Sequence, residues 1–142
     1  MNCDVRQPIQ DAFTPATNVG KLYKLTLKPE RGKTSTNYVN LFNGLHIFIC
    51  MMNLGEIVYL TKRRFGDEKK IEVVSRIYQL GLTVLSVTDS LVFQAAELKA
   101  KYALSYADCF ALACAVNHSA TLVTGDTEFK TVAHLIEIAW IR

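Results

Sequence analysis

From about residue 45 onward, the apolar positions fall into two alternating spacings. His46 to Cys50 is a short apolar, β-branched run of the kind that forms a buried strand. Asn53 then opens a helix carrying Leu54, Ile57, Val58 and Leu60, which ends near Phe65-Gly66. Asp67 caps a second helix with Ile71, Val74, Ile77 and Leu80 at helical spacing, and Gly81 is its stop signal. Thr83 to Val87 reads as the next strand. Asp89 or Ser90 starts a helix through Val92, Ala95, Ala96 and Leu98, and Ser105 caps another from Tyr106 to about Asn117. Ala120 to Thr124 is a third strand, a short helix follows from Thr127, and Leu135 to Ile141 forms a fourth strand.

Short apolar strands separated by helices predict an α/β fold whose mostly parallel central sheet is covered on both faces. In such sheets ligands bind outside the carboxyl ends of the strands, which is where chemistry is to be sought. Residues 1–44 follow a different pattern. Met1 to Thr17 holds Pro8 and Pro15 and no strand spacing, whereas Gly20 to Lys33 sets Lys21, Lys24, Lys28, Arg31 and Lys33 around Leu22, Leu25 and Leu27. Thr34 to Phe42 suits a helix that packs Tyr38, Val39 and Phe42. A length of 142 residues fits one domain. Residues 45–142 are expected to form its recognisable core, and residues 1–44 an atypical or partly disordered N-terminal region.

Composition narrows the class of function only a little. Half of the residues are hydrophobic and 20% are charged, which is globular composition. The net charge of +3 is compatible with a polyanionic partner without requiring one. No apolar run approaches the ~20 residues that span a bilayer. Asp4, Pro8 and Asp11 stand where an export signal would need a basic start and an apolar stretch. The expectation is therefore a cytoplasmic protein that does not enter a membrane. Cys3, Cys50, Cys109 and Cys114 form no CxxC pair, and Cys50, Cys109 and Cys114 read as small buried hydrophobes. No GxGxxG or Walker-type loop follows any strand, which argues against a nucleotide-binding domain.

Three acids stand just after strands or at helix starts: Glu56, Asp108 and Asp126. Each has an ordinary structural explanation. Asn53 with Glu56 and Ser105 with Asp108 have capping-box spacing, and Asp126 is placed to cap the helix from Thr127. Together they suggest more. If the sheet is parallel, Glu56 and Asp126 lie on its carboxyl edge and Asp108 can face them. Three converging carboxylates repel, and a divalent cation relieves that repulsion. Mg²⁺ and Mn²⁺ favour carboxylate and water oxygens, and a cation held there can activate a water and neutralise charge on a phosphodiester.

These segments resemble the PIN-domain family, and within it the VapC-type toxins. The resemblance is carried by Asn53-Leu54-Gly55-Glu56-Ile57 after the first strand and by the stretch from Ala95 to Ala113 that includes Ser105-Tyr106-Ala107-Asp108. It continues through Thr124-Gly125-Asp126-Thr127-Glu128-Phe129 to a last strand like Ile136 to Trp140. It implies a three-layer α/β/α fold and an endoribonuclease dependent on Mg²⁺ or Mn²⁺. It further implies a homodimer that acts on RNA and is inhibited by a small antitoxin protein. By the same resemblance Glu56, Asp108 and Asp126 are catalytic and metal-binding acids, with Glu128 a fourth metal-site acid. Thr124 would hold a phosphate or a water through its hydroxyl.

The pattern breaks at its start. The family opens with an apolar strand ending in a metal-site aspartate, and none is evident here. The best slot is Asn18, which is neutral and follows the weak strand candidate Thr14-Pro15-Ala16-Thr17. The N-terminal third is thus expected to have diverged or been rearranged. The rival reading is a degenerate PIN module that binds antitoxin or RNA without cutting.

Overall fold

The computed structural model describes residues 25–29 and 45–140. They form β1 (Leu25–Pro29), β2 (Leu45–Cys50), α1 (Met51–Gln79), β3 (Thr83–Leu85), α2 (Asp89–Lys101), α3 (Tyr106–Asn117), β4 (Thr121–Thr124) and β5 (Ile138–Trp140). A 3-10 helix, Thr127–Val132, joins the last two strands.

The five strands make one sheet in the order β3-β2-β1-β4-β5. β2 is parallel to β3 and β4 to β5, while β1 lies antiparallel between β2 and β4. The four outer strands therefore all point the same way, as the apolar strand pattern requires, and their carboxyl ends share one edge. The central position is taken by Leu25-Thr26-Leu27-Lys28-Pro29, a segment with no strand expectation from its sequence. Leu27 pairs with Ile47 on one side and with Thr121 on the other.

Strand alternation sorts the core into two faces. Ile47, Ile49 and Val123 join a cluster with Leu54, Ile57, Val73 and Ile77 of α1. Cys50 and Leu122 join the opposite cluster with Leu91 and Ala95 of α2, the α3 residues, and Phe129 and Val132. Adjacent residues of one strand thus serve different layers, which gives the α/β/α arrangement expected. α3 is buried on all sides from Asp108 to Ala115. Its Cys109, Ala111, Ala113 and Cys114 are small enough for a helix enclosed by the sheet and α2.

α1 consists of two arms meeting at Gly66, whose φ of 84° and ψ of −175° break the helix. In a straight helix Leu54 and Ile77 would be about 35 Å apart at ~1.5 Å per residue. Their shared core cluster follows from the chain doubling back at Gly66. This is the helix stop expected at Phe65-Gly66, and Asp67 begins the second arm, bonded to Lys70 at 2.8 Å and to Lys62 of the first arm at 3.2 Å. Gly81, at φ 68°, ends the second arm as expected.

Element ends depart slightly from the sequence pattern. α1 begins at Met51 with Cys50 as its N-cap, so Asn53 lies inside the helix and does not cap it. Thr88 caps α2, its hydroxyl accepting from the Leu91 amide at 3.2 Å. The expected strand Thr83 to Val87 shortens to Thr83–Leu85, and the one expected from Leu135 to Ile141 begins at Ile138, with Ile141 outside the described residues. The proposed strand at Thr14–Thr17, the helix at Thr34–Phe42 and the slot at Asn18 lie outside the described residues.

Candidate metal centre

Three acids converge at the carboxyl edge of the sheet. Asp108 stands in the first turn of α3, Asp126 immediately follows β4, and Glu128 opens the 3-10 helix. One ligand atom from each lies within 4.8 Å of the others. Asp108 is buried, Asp126 half-buried and Glu128 exposed, so the cluster runs from the interior out to solvent.

Local chemistry fixes each position. Ser105 caps α3, its hydroxyl accepting from the Asp108 amide at 3.1 Å. This is half of a capping box, and it orients the residue that carries the buried carboxylate. Thr124 ends β4 almost wholly buried, and its hydroxyl oxygen accepts from the Asp126 amide at 3.0 Å. Asp126 Oδ1 in turn accepts from the Glu128 amide at 3.0 Å and caps the 3-10 helix. Strand end, turn and helix start are thus joined by consecutive side chain-to-backbone bonds, an arrangement suited to holding carboxylates in place.

Glu56 is placed differently. It lies on the first arm of α1, which leaves the carboxyl end of β2, and it is half-buried. It is on the expected edge of the sheet, yet its carboxylate is not within the group formed by the other three.

Sequence spacing gave no sign of the link beneath these acids. The Asn53 Nδ2 donates to the Ala107 carbonyl at 3.0 Å, from the first turn of α1 to the residue before Asp108. An Asn three residues before an acid reads as a cap, and only the three-dimensional arrangement shows that its partner is 54 positions away. Close by, Cys50 and Cys114 are buried and free as thiols. The hydrogen bond to Cys50, reinforced by burial, pushes the Cys114 thiol far above the ordinary thiol range.

The donor set suits a hard cation. On an octahedral Mg²⁺ with ~2.1 Å bonds adjacent oxygens stand about 3 Å apart and opposed ones about 4.2 Å, so carboxylate atoms within 4.8 Å of one another would draw inward around one ion. Asp108, Asp126 and Glu128 would hold the ion.

An α/β/α sheet whose carboxyl edge gathers acids defines a class of folds that place metal-dependent chemistry there. The chain belongs to the PIN domain family, whose model matches residues 25–135, and PIN domains are typically metal-dependent nucleases. The match starts at β1, upstream of the segment in which the resemblance was first legible. No curated protein and no solved structure matches the chain. No helix among the described residues is long and apolar enough to cross a membrane.

Proposed function

We propose that this protein is a divalent-metal-dependent endoribonuclease, the toxin partner of a VapC-type toxin–antitoxin pair, using Mg²⁺ or Mn²⁺. The observation that carries this is the convergence of Asp108, Asp126 and Glu128 within 4.8 Å at the carboxyl edge of a PIN fold. A cation bound there supplies charge neutralisation at the phosphodiester and a water of lowered pKa. Asp108 would hold the ion from the buried side, and the half-buried Asp126 and exposed Glu128 would hold it from the side on which RNA approaches. Thr124 holds the Asp126 backbone, and Glu56, on the same edge, is assigned to the water or substrate side of the site. A homodimer, a small antitoxin and a cytoplasmic setting belong to the same reading.

A second reading has its own support. The central strand Leu25–Pro29 contains no acid and runs opposite to its neighbours, so it brings its start and not its end to the site edge. Without a carboxylate from that strand, the fold can bind metal or RNA and still fail to cut. Cleavage of a mixed RNA pool with Mn²⁺, with Mg²⁺ and with chelator separates the two readings. Metal-dependent cutting that Asp126→Asn abolishes is the expected result. A folded protein that binds Mn²⁺ and leaves RNA intact would establish the degenerate module instead.

A further inference from the structure

We infer that Asn53 is a positioning residue for this metal centre: its buried amide ties the first turn of α1 to that of α3 and so fixes where Asp108 stands relative to Asp126 and Glu128. The inference rests on the metal-centre reading above. Asn53 is 3% exposed and is the third residue of α1. Its Nδ2 reaches the Ala107 carbonyl at 3.0 Å, and Ala107 is the residue immediately before Asp108.

Packing alone does not account for an amide at this place. Leu54 and Ile57, one and four positions further on, are buried among apolar side chains. Burying the amide costs desolvation, and its Oδ1 finds no hydrogen-bond partner among the described residues. The Ala107 carbonyl does not require it either, because a carbonyl in the first turn of a helix already accepts from the amide four residues on. What the bond adds is geometry: it pins the carboxylate-bearing turn of α3 to the helix leaving β2. Ser105 orients the same turn from its own chain. Asn53 orients it against a separate element, which local capping cannot do.

A small octahedral cation tolerates little displacement of its ligands. Losing a partner bonded directly to a metal ligand typically weakens metal affinity by about 10–100-fold, and Asn53 acts one residue further back, so the lower end of that range is expected. The test is Mn²⁺ titration of the full chain, followed by the electron paramagnetic resonance signal of free Mn²⁺, for the unaltered protein, Asn53→Leu and Asn53→Ser. Each is held at a temperature where circular dichroism shows it folded. The serine variant, too short to reach Ala107, decides the matter if the leucine variant does not fold. The expected result is Mn²⁺ binding weakened at least about tenfold in the folded variants. The Mn²⁺ concentration for half-maximal RNA cleavage should rise in step, while the rate at saturating Mn²⁺ recovers. Unchanged Mn²⁺ affinity in a folded variant overturns the positioning role and leaves the metal centre standing. If the unaltered chain binds no Mn²⁺, the metal-centre reading fails and the role of Asn53 falls with it.

Discussion

At the scale of single residues, Asp126 shows how one side chain can cap a helix and also belong to an acidic cluster. Asp126 caps the 3-10 helix through Oδ1 and also contributes a carboxylate to the cluster. An asparagine keeps the capping oxygen and loses the charge, so Asp126→Asn separates the two roles, whereas Asp126→Ala would confound them. Thr124 acts one step further back. Thr124→Val preserves shape but leaves the Asp126 amide without its acceptor, a loss of about 1–3 kcal/mol where that group is shielded from water. Urea denaturation should show the loss, and Mn²⁺ affinity should fall with it; unchanged stability would mean that water replaces the hydroxyl. Capping and function leave the same mark on a sequence, which is why Ser105-x-x-Asp108 could be read either way. Folding shows Ser105 and Asp126 as true caps and Asn53 as no cap, because Cys50 already ends the strand and starts the helix.

At the scale of elements, the turn within α1 is the feature most exposed to a single change. Gly66 has φ 84° and ψ −175°, a backbone region that residues with a Cβ avoid. A Cβ built there meets nothing within 4 Å, so Gly66→Ala carries a purely conformational cost of roughly 1–3 kcal/mol. A lowered denaturation midpoint with an unchanged m-value would confirm it, and an unaltered midpoint would show that the arms reorient freely about this hinge. The turn was legible because Phe65-Gly66-Asp67 interrupts two apolar periodicities, and the stop at Gly81 for the same reason. β1 was not legible. Five residues with two alternate leucines beside a threonine, a lysine and a proline carry too little pattern to mark a strand. Their assignment comes from pairing with β2 and β4, a non-local interaction that no window along the chain contains. The shortened β3 has the opposite history, since its apolar flank continues to Val87, past Leu85, the last residue that finds a partner strand.

At the scale of the whole molecule, the fold sets a buried α3 next to an acidic edge, and each makes its own demand on stability. Ala113 is 2% exposed in the middle of α3, among Leu112, Cys114 and Leu122 of one core cluster. Ala113→Asp would bury a carboxylate within this apolar cluster, and it should abolish cooperative folding as read by circular dichroism. A soluble variant with an unaltered melting temperature would contradict the packing of that helix. At the edge the balance is reversed. Asp108, Asp126 and Glu128 are brought together by caps and turns, so a cation bound among them would add to the stability of the folded state. A ligand that binds only the folded chain stabilises it by RT ln(1 + [L]/Kd), about 2.7 kcal/mol at roughly one hundred times Kd. For a domain of this size that corresponds to a rise of roughly 10 °C in melting temperature. Thermal unfolding with Mn²⁺ against chelator should show this rise in the unaltered protein and little of it in Asp126→Asn. Because the rise depends on binding and not on turnover, it is expected whether or not the protein cuts RNA. An equal rise in both proteins would place the cation elsewhere on the molecule.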